Sequence, residues 1–132
     1  MQISNIYELY YVSPQITLMD MELLLGKGFK KIICNRPDFE VPPSIQSKVI
    51  EKSALEIGIS FEYHPLTFEN MYAENIEKQM AFIEESESPV LAYCTSGTRS
   101  AAIWALGQTG KMSRDEILKI TLASGYNLEG LL

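Results

Sequence analysis

Short apolar runs alternate along this chain with longer segments whose apolar residues recur every three or four positions. That alternation restricts the possible folds more than any other feature. Residues 31–35 (KIICN), halted by Pro37, read as a strand buried on both faces. Residues 59–64, closed by Pro65, and 89–94 (PVLAYC) read the same way. Residues 7–12 are aromatic and β-branched and end at Ser13-Pro14, as one strand or the arm of a short hairpin. Between the strands, helices are expected over 17–26, with Met19, Leu23 and Leu24 on one side, and over 44–57, with Ile45, Val49, Ile50, Ala54 and Ile57 as its stripe. Further helices are expected over 74–84 (Ile76, Met80 and Ile83 inward), over 100–107, and from Ser113, whose Glu116 completes a capping box, to Gly125. The expected class is α/β: a mainly parallel central sheet of four to five strands flanked by helices, residues 1–132 forming a single domain.

The 132 residues carry 11 basic and 17 acidic side chains, a net charge of −6. A general nucleic-acid binder needs a basic surface and is not expected; a small anionic substrate in a local positive pocket is compatible. Two cysteines, Cys34 and Cys94, make no disulfide scaffold, and one histidine, His64, makes no zinc site. Neither a metal nor an organic cofactor is implied. The opening MQISNIYELYYV lacks a basic stretch before an apolar core, so no leader is expected. No apolar run approaches the ~20 residues of a membrane span. The expectation is a soluble cytoplasmic protein.

In parallel sheets, ligands bind beyond the carboxyl ends of the strands. Residues 35–40, 64–70 and 94–100 are therefore the candidate segments. The last is the most telling. Cys94 ends a buried strand, Thr95, Ser96, Gly97 and Thr98 form a tight loop, and Arg99 and Ser100 open a helix. Successive loop N–H groups can converge on an anion, and the helix dipole adds positive potential. Arg99 can fork two N–H bonds onto an oxyanion. The same surroundings favour a thiolate, so Cys94 is the candidate nucleophile, with Arg99 as its catalytic partner and Thr95, Ser96, Gly97, Thr98 and Ser100 as the substrate-binding cradle.

These residues resemble the loop of the cysteine-dependent phosphatases, Cys-x5-Arg followed by Ser or Thr. The whole chain resembles the phosphatase-like domain family of beta-lactamase hydrolase-like proteins. Four stretches carry the likeness: Ser13-Pro14-Gln15, Asn35-Arg36-Pro37-Asp38-Phe39-Glu40, Cys94 to Ser100, and Gly125-Tyr126-Asn127-Leu128. The resemblance implies a dual-specificity-phosphatase-like fold and hydrolysis of phosphate esters through a phosphocysteine. Two departures stand out. Only four residues separate Cys94 from Arg99, a spacing similar to the rhodanese loop, in which the cysteine carries a persulfide. Tyr93 stands where many phosphatases have histidine. A sulfurtransferase with a Cys94 persulfide is thus a second expectation, and a catalytically weak module binding an anion or a partner protein is a third.

Ester cleavage gains from an acid on the leaving oxygen. Residues 64–70 contain no Asp; Glu69 is the candidate there, or else a solvated carboxylate. Arg36 is expected to add positive potential, and Asp38 to orient Arg99 or act as acid, unless Arg36 closes its own turn on Asp38 or Glu40. His64 reads as a strand-end structural residue, and Ile103, Trp104 and Leu106 as core. The resemblance implies that the strand ending near Cys34 lies beside that of Cys94, so Cys34 could form a redox pair with it or pack as a small hydrophobe.

Overall fold

The computed structural model describes all 132 residues. A five-stranded sheet has the order β1-β2-β5-β3-β4. Its strands are β1 (Ser4–Tyr7), β2 (Tyr10–Ser13), β3 (Lys31–Cys34), β4 (Ser60–Tyr63) and β5 (Val90–Tyr93). All neighbours run parallel except β1 and β2, which form an antiparallel hairpin. The aromatic stretch at 7–12 is thus split by a two-residue turn, in which Glu8 takes φ 49° and Asn5 Nδ2 donates to its carbonyl at 2.9 Å. Strand β5 is central, and every one of its residues is buried. Apolar side chains on both faces of one strand require layers on both sides of the sheet.

Helices α1 (Met21–Gly26) and α2 (Ser47–Glu56) cover one face, packing Met21, Leu24, Ile50 and Ala54 on Ile32, Leu91 and Tyr93. Helices α3 (Ala73–Glu84), α4 (Thr98–Gly107) and α5 (Arg114–Ala123) cover the other, with Met80, Ala101, Trp104 and Ile117 against Val12, Ile33 and Ala92. None of these helices is long and apolar enough to cross a membrane.

Helix α1 departs from the expected pattern. Residues Leu18–Asp20 form a 3₁₀ turn, with Thr17 N–H donating to Asp20 Oδ2 at 2.8 Å, and α-geometry begins only at Met21. The tighter 3₁₀ turn shifts the helical phase. Met21 and Leu24 are buried, whereas Met19 is 93% exposed and Leu23 is also exposed. Of the expected inner set of Met19, Leu23 and Leu24, only Leu24 holds. Helix α4 begins two residues early, because Gly97 at φ 94° caps it directly.

Candidate active site

Cys94 follows the last residue of β5, and its N–H donates to Ser13 O at 3.4 Å on the neighbouring strand. The residue is 1% exposed. The chain then turns through Gly97, whose N–H donates to the Cys94 sulfur at 3.2 Å. Gly97 also closes the first turn of α4, its carbonyl accepting from Ala101 N at 2.9 Å. Around this turn, the N–H groups of Thr95, Ser96, Arg99 and Ser100 have no protein acceptor. A strand end, a left-handed glycine and a helix start thus leave four backbone donors unpaired in the loop that follows the thiol, with a fifth on the sulfur itself. The outside of the loop is fastened by Gln15 N–H to Thr95 O at 3.3 Å and Tyr126 OH to Ser96 O at 3.1 Å. The stretches at 13–15 and 125–128 therefore both meet at this loop.

Arg99 is held on three sides. Nη1 donates to Glu40 Oε2 and to the carbonyl of Leu66, both at 2.8 Å; Nη2 donates to Glu40 Oε1 and to Thr95 Oγ1, both at 2.7 Å. The fork expected to face an oxyanion is occupied by Glu40, which leaves Nε–H as the guanidinium donor outside these four contacts. Hydrogen bonding from Arg99 holds the Glu40 carboxyl below the usual carboxylate range. Glu40 in turn raises Arg99 further, with the Cys94 sulfur acting in the same direction.

The neighbouring expectations divide. Arg36 also leans on Glu40, with Nε 3.3 Å from Oε1, and reaches Gln15 Oε1 at 3.2 Å; it closes its own turn. Asp38, expected to orient Arg99, does not: its carboxylate accepts from Ser47 N at 2.7 Å and Ser47 Oγ at 2.8 Å at the start of α2. The orienting carboxylate is Glu40, two residues on. The 3₁₀ turn Asp38–Glu40 sends those two side chains to different partners. Glu69 is exposed on the 67–70 turn, where Thr67 N donates to Asn70 Oδ1 at 2.9 Å, and it forms no ion pair.

Beneath the loop lies a buried polar network. The Ser100 hydroxyl donates to Asn35 Oδ1 at 2.8 Å, and Asn35 and Gln79 exchange amide hydrogen bonds at 2.9 and 3.0 Å. His64, buried, donates from Nδ1 to Gln79 Oε1 at 2.7 Å, the structural role expected of it. Gln79 was overlooked in the sequence, yet it falls three residues after Ile76 and four before Ile83. A polar residue on the inner stripe of a helix is itself a signal.

Cys34 pairs in register with Tyr93 and packs on the α1/α2 face; its thiol donates to Arg36 O at 3.3 Å. Both thiols are free, and burial pushes Cys34 up to about 11, which disfavours the redox pair.

The profile of the family described as "Beta-lactamase hydrolase-like protein, phosphatase-like domain" matches residues 3–111. A beta-lactamase hydrolase-like protein of Xylella fastidiosa is 28% identical over 130 residues, 97% of this chain. The chain spans only 30% of that relative's length. The crystal structure of a candidate phosphatase of Neisseria meningitidis superposes with a TM-score of 0.89 at 36% identity, covering 98% of this chain and 93% of that one. The kinase-associated phosphatase, 15% identical, shares the fold, with a TM-score of 0.71 over 95% of this chain and 84% of its own.

Proposed function

The chain belongs to the phosphatase-like domain family of beta-lactamase hydrolase-like proteins, and on that premise we propose that it cleaves organic phosphate monoesters through a phosphocysteine on Cys94. One observation carries this reading. A buried thiol accepts from Gly97 N–H at 3.2 Å, and four further N–H groups of the same loop are free of protein acceptors. In the proposed reaction the Cys94 thiolate attacks phosphorus. The S–P bond forms as the ester P–O bond breaks, and the leaving oxygen takes a proton from Glu69 or from water. Water then attacks phosphorus, the S–P bond breaks, and phosphate leaves with the thiolate restored. The loop N–H groups and Arg99 Nε–H bind the equatorial oxygens, and the positive charge of Arg99 offsets the growing negative charge.

The surroundings favour an ester with an apolar group. Phe39, 81% exposed, adjoins Glu40; Phe68, 56% exposed, lies two residues beyond Leu66. The two segments that hold Arg99 thus each present an aromatic ring to solvent, and an aryl phosphate is the substrate to try first.

The four-residue loop favours a second reading, sulfur transfer. Cys94 would attack the outer sulfur of thiosulfate, breaking the S–S bond and releasing sulfite. The persulfide would then pass its sulfur to a nucleophile such as cyanide, giving thiocyanate and the thiolate. An aryl-phosphate assay beside a thiosulfate-to-cyanide assay separates the two. The phosphatase reading requires phosphate release in the wild type and its loss in Cys94→Ser; release that survives in Cys94→Ser removes the assigned nucleophile. Wild type inert in both assays but binding inorganic phosphate is an anion-binding module. Glu69→Gln should flatten the fall of kcat with rising pH if Glu69 is the proton donor.

A further inference from the structure

Six hydrogen bonds converge on Asn35, a wholly buried residue immediately after β3. Its N–H donates to Tyr93 O at 2.8 Å, next to Cys94, and its carbonyl accepts from Leu66 N at 2.8 Å. Its Nδ2 donates to His64 O and to Gln79 Oε1, each at 2.9 Å. Its Oδ1 accepts from Gln79 Nε2 at 3.0 Å and from Ser100 Oγ at 2.8 Å. Strand β3 lies between β5 and β4. The residue that follows it therefore has the end of the Cys94 strand on one side and the start of the 64–72 segment on the other.

We infer that Asn35 is a positioning residue for Arg99, acting through Leu66 and Ser100. Leu66 is the residue whose carbonyl accepts from Arg99 Nη1 at 2.8 Å. Its own N–H is fixed on the Asn35 carbonyl. Ser100 adjoins Arg99 in the chain and is held twice: its hydroxyl by Asn35, and its carbonyl by Tyr10 OH at 2.7 Å. Tyr10 OH in turn accepts from Gln79 Nε2 at 3.1 Å, which closes a ring through Asn35, Gln79, Tyr10 and Ser100. Every amide hydrogen and oxygen lone pair of Asn35 and Gln79 has one partner, so the orientation of both amides is determined by the network itself. Only an Asn-sized amide serves at position 35. Asp has no donor for His64 O and brings a buried charge, and Leu leaves Ser100 and Gln79 unpaired. The backbone of Asn35 sets one wall of the Arg99 cage and its side chain the first turn of α4 that carries Arg99. The inference rests on the phosphatase reading only for what Arg99 then does.

The test reads Arg99 directly. In a guanidinium held by a bidentate carboxylate and a carbonyl, rotation is slowed and the Nη protons give separate NMR signals. Separate Arg99 signals are expected in the wild type, and their merging in Asn35→Ala. Ser100→Ala, which removes only the Ser100–Asn35 bond of the side-chain network, carries the same test should Asn35→Ala fail to fold. Ile50→Val, in the core on the other face of the sheet, controls for general loss of stability and should keep the signals separate. Titration of inorganic phosphate should show affinity falling roughly tenfold in Asn35→Ala, the scale of one charge-assisted hydrogen bond. Merged signals in the wild type, or separate signals surviving in folded Asn35→Ala or Ser100→Ala, overturn the inference. A wild type that binds no phosphate, but whose Arg99 signals merge in Asn35→Ala, retains the positioning role and refutes the phosphatase reading instead.

Discussion

An added Cβ at Gly97 would run into the Tyr126 hydroxyl, and the residue's φ of 94° lies in the left-handed region that side-chain-bearing residues disfavour by about 1–2 kcal/mol. Gly97→Ala should therefore move the loop, lowering both the melting temperature and phosphate affinity. Adding Tyr126→Phe should recover part of the melting temperature, since it relieves the contact and leaves the backbone strain. Equal melting temperatures for the single and double variants would show that Tyr126 is not the obstacle. Arg99→Lys keeps the charge but cannot span both Glu40 oxygens and the Leu66 carbonyl. Phosphate affinity, measured by calorimetry, should fall by about 1–3 kcal/mol. Glu40 adds a pH dependence of known sign. Its folded-state value is lowered, chiefly by Arg99, so the stability it contributes is present above the ordinary carboxylate range and lost as pH falls through the lowered value. Glu40→Gln should flatten the acid side of the stability profile, and an unchanged profile would contradict the pairing.

At the scale of elements, two short contacts determine where helices begin. Asp38 receives both the N–H and the hydroxyl of Ser47, so it ties the turn after β3 to the start of α2. Asp38→Ala should cost about 1–2 kcal/mol in denaturant unfolding and leave the alkaline limb of the pH–rate profile, where a proton donor would lose its proton, in place. Loss of that limb would restore Asp38 as a proton donor. The Ser113 hydroxyl accepts from Glu116 N at 3.1 Å and caps α5. That cap was legible in the sequence because capping is local chemistry, carried by residues three positions apart. The face of α1 was not legible to the same degree. Its phase depends on the 3₁₀ turn at Leu18–Asp20 and on where the sheet stands beneath it.

For the molecule as a whole, buried acids should make the alkaline side of the stability profile steep. Cys34 rises from an ordinary 9.0 to about 11, through burial first. A thiol whose folded value lies above its unfolded one stabilises the fold fully below the unfolded value and ceases to do so as pH rises through the folded one. The loss, read by denaturant unfolding between pH 9 and 11, should approach about 3 kcal/mol. Cys34→Val should reduce the slope in that window; an identical slope would assign it to the buried tyrosines instead. Tyr10 and Tyr93, also raised by burial, add to the decline at higher pH.

The sequence by itself determined the α/β class, the burial of the 89–94 strand on both faces and the turn at Gly97. Each depends on periodicity or on backbone chemistry within a few residues. It also singled out Cys94, Arg99 and the loop between them, since strand end, glycine and helix start are adjacent in the chain. Tertiary structure alone decided which carboxylate meets Arg99. Asp38 and Glu40 are chemically alike and two residues apart, and the choice follows from the 3₁₀ turn between them and from α2, which claims Asp38. It alone brought Asn35, Gln79, Tyr10 and Ser100 into one ring from four separate elements and loops. It also set Cys34 opposite Tyr93 in register and packed both against α1 and α2.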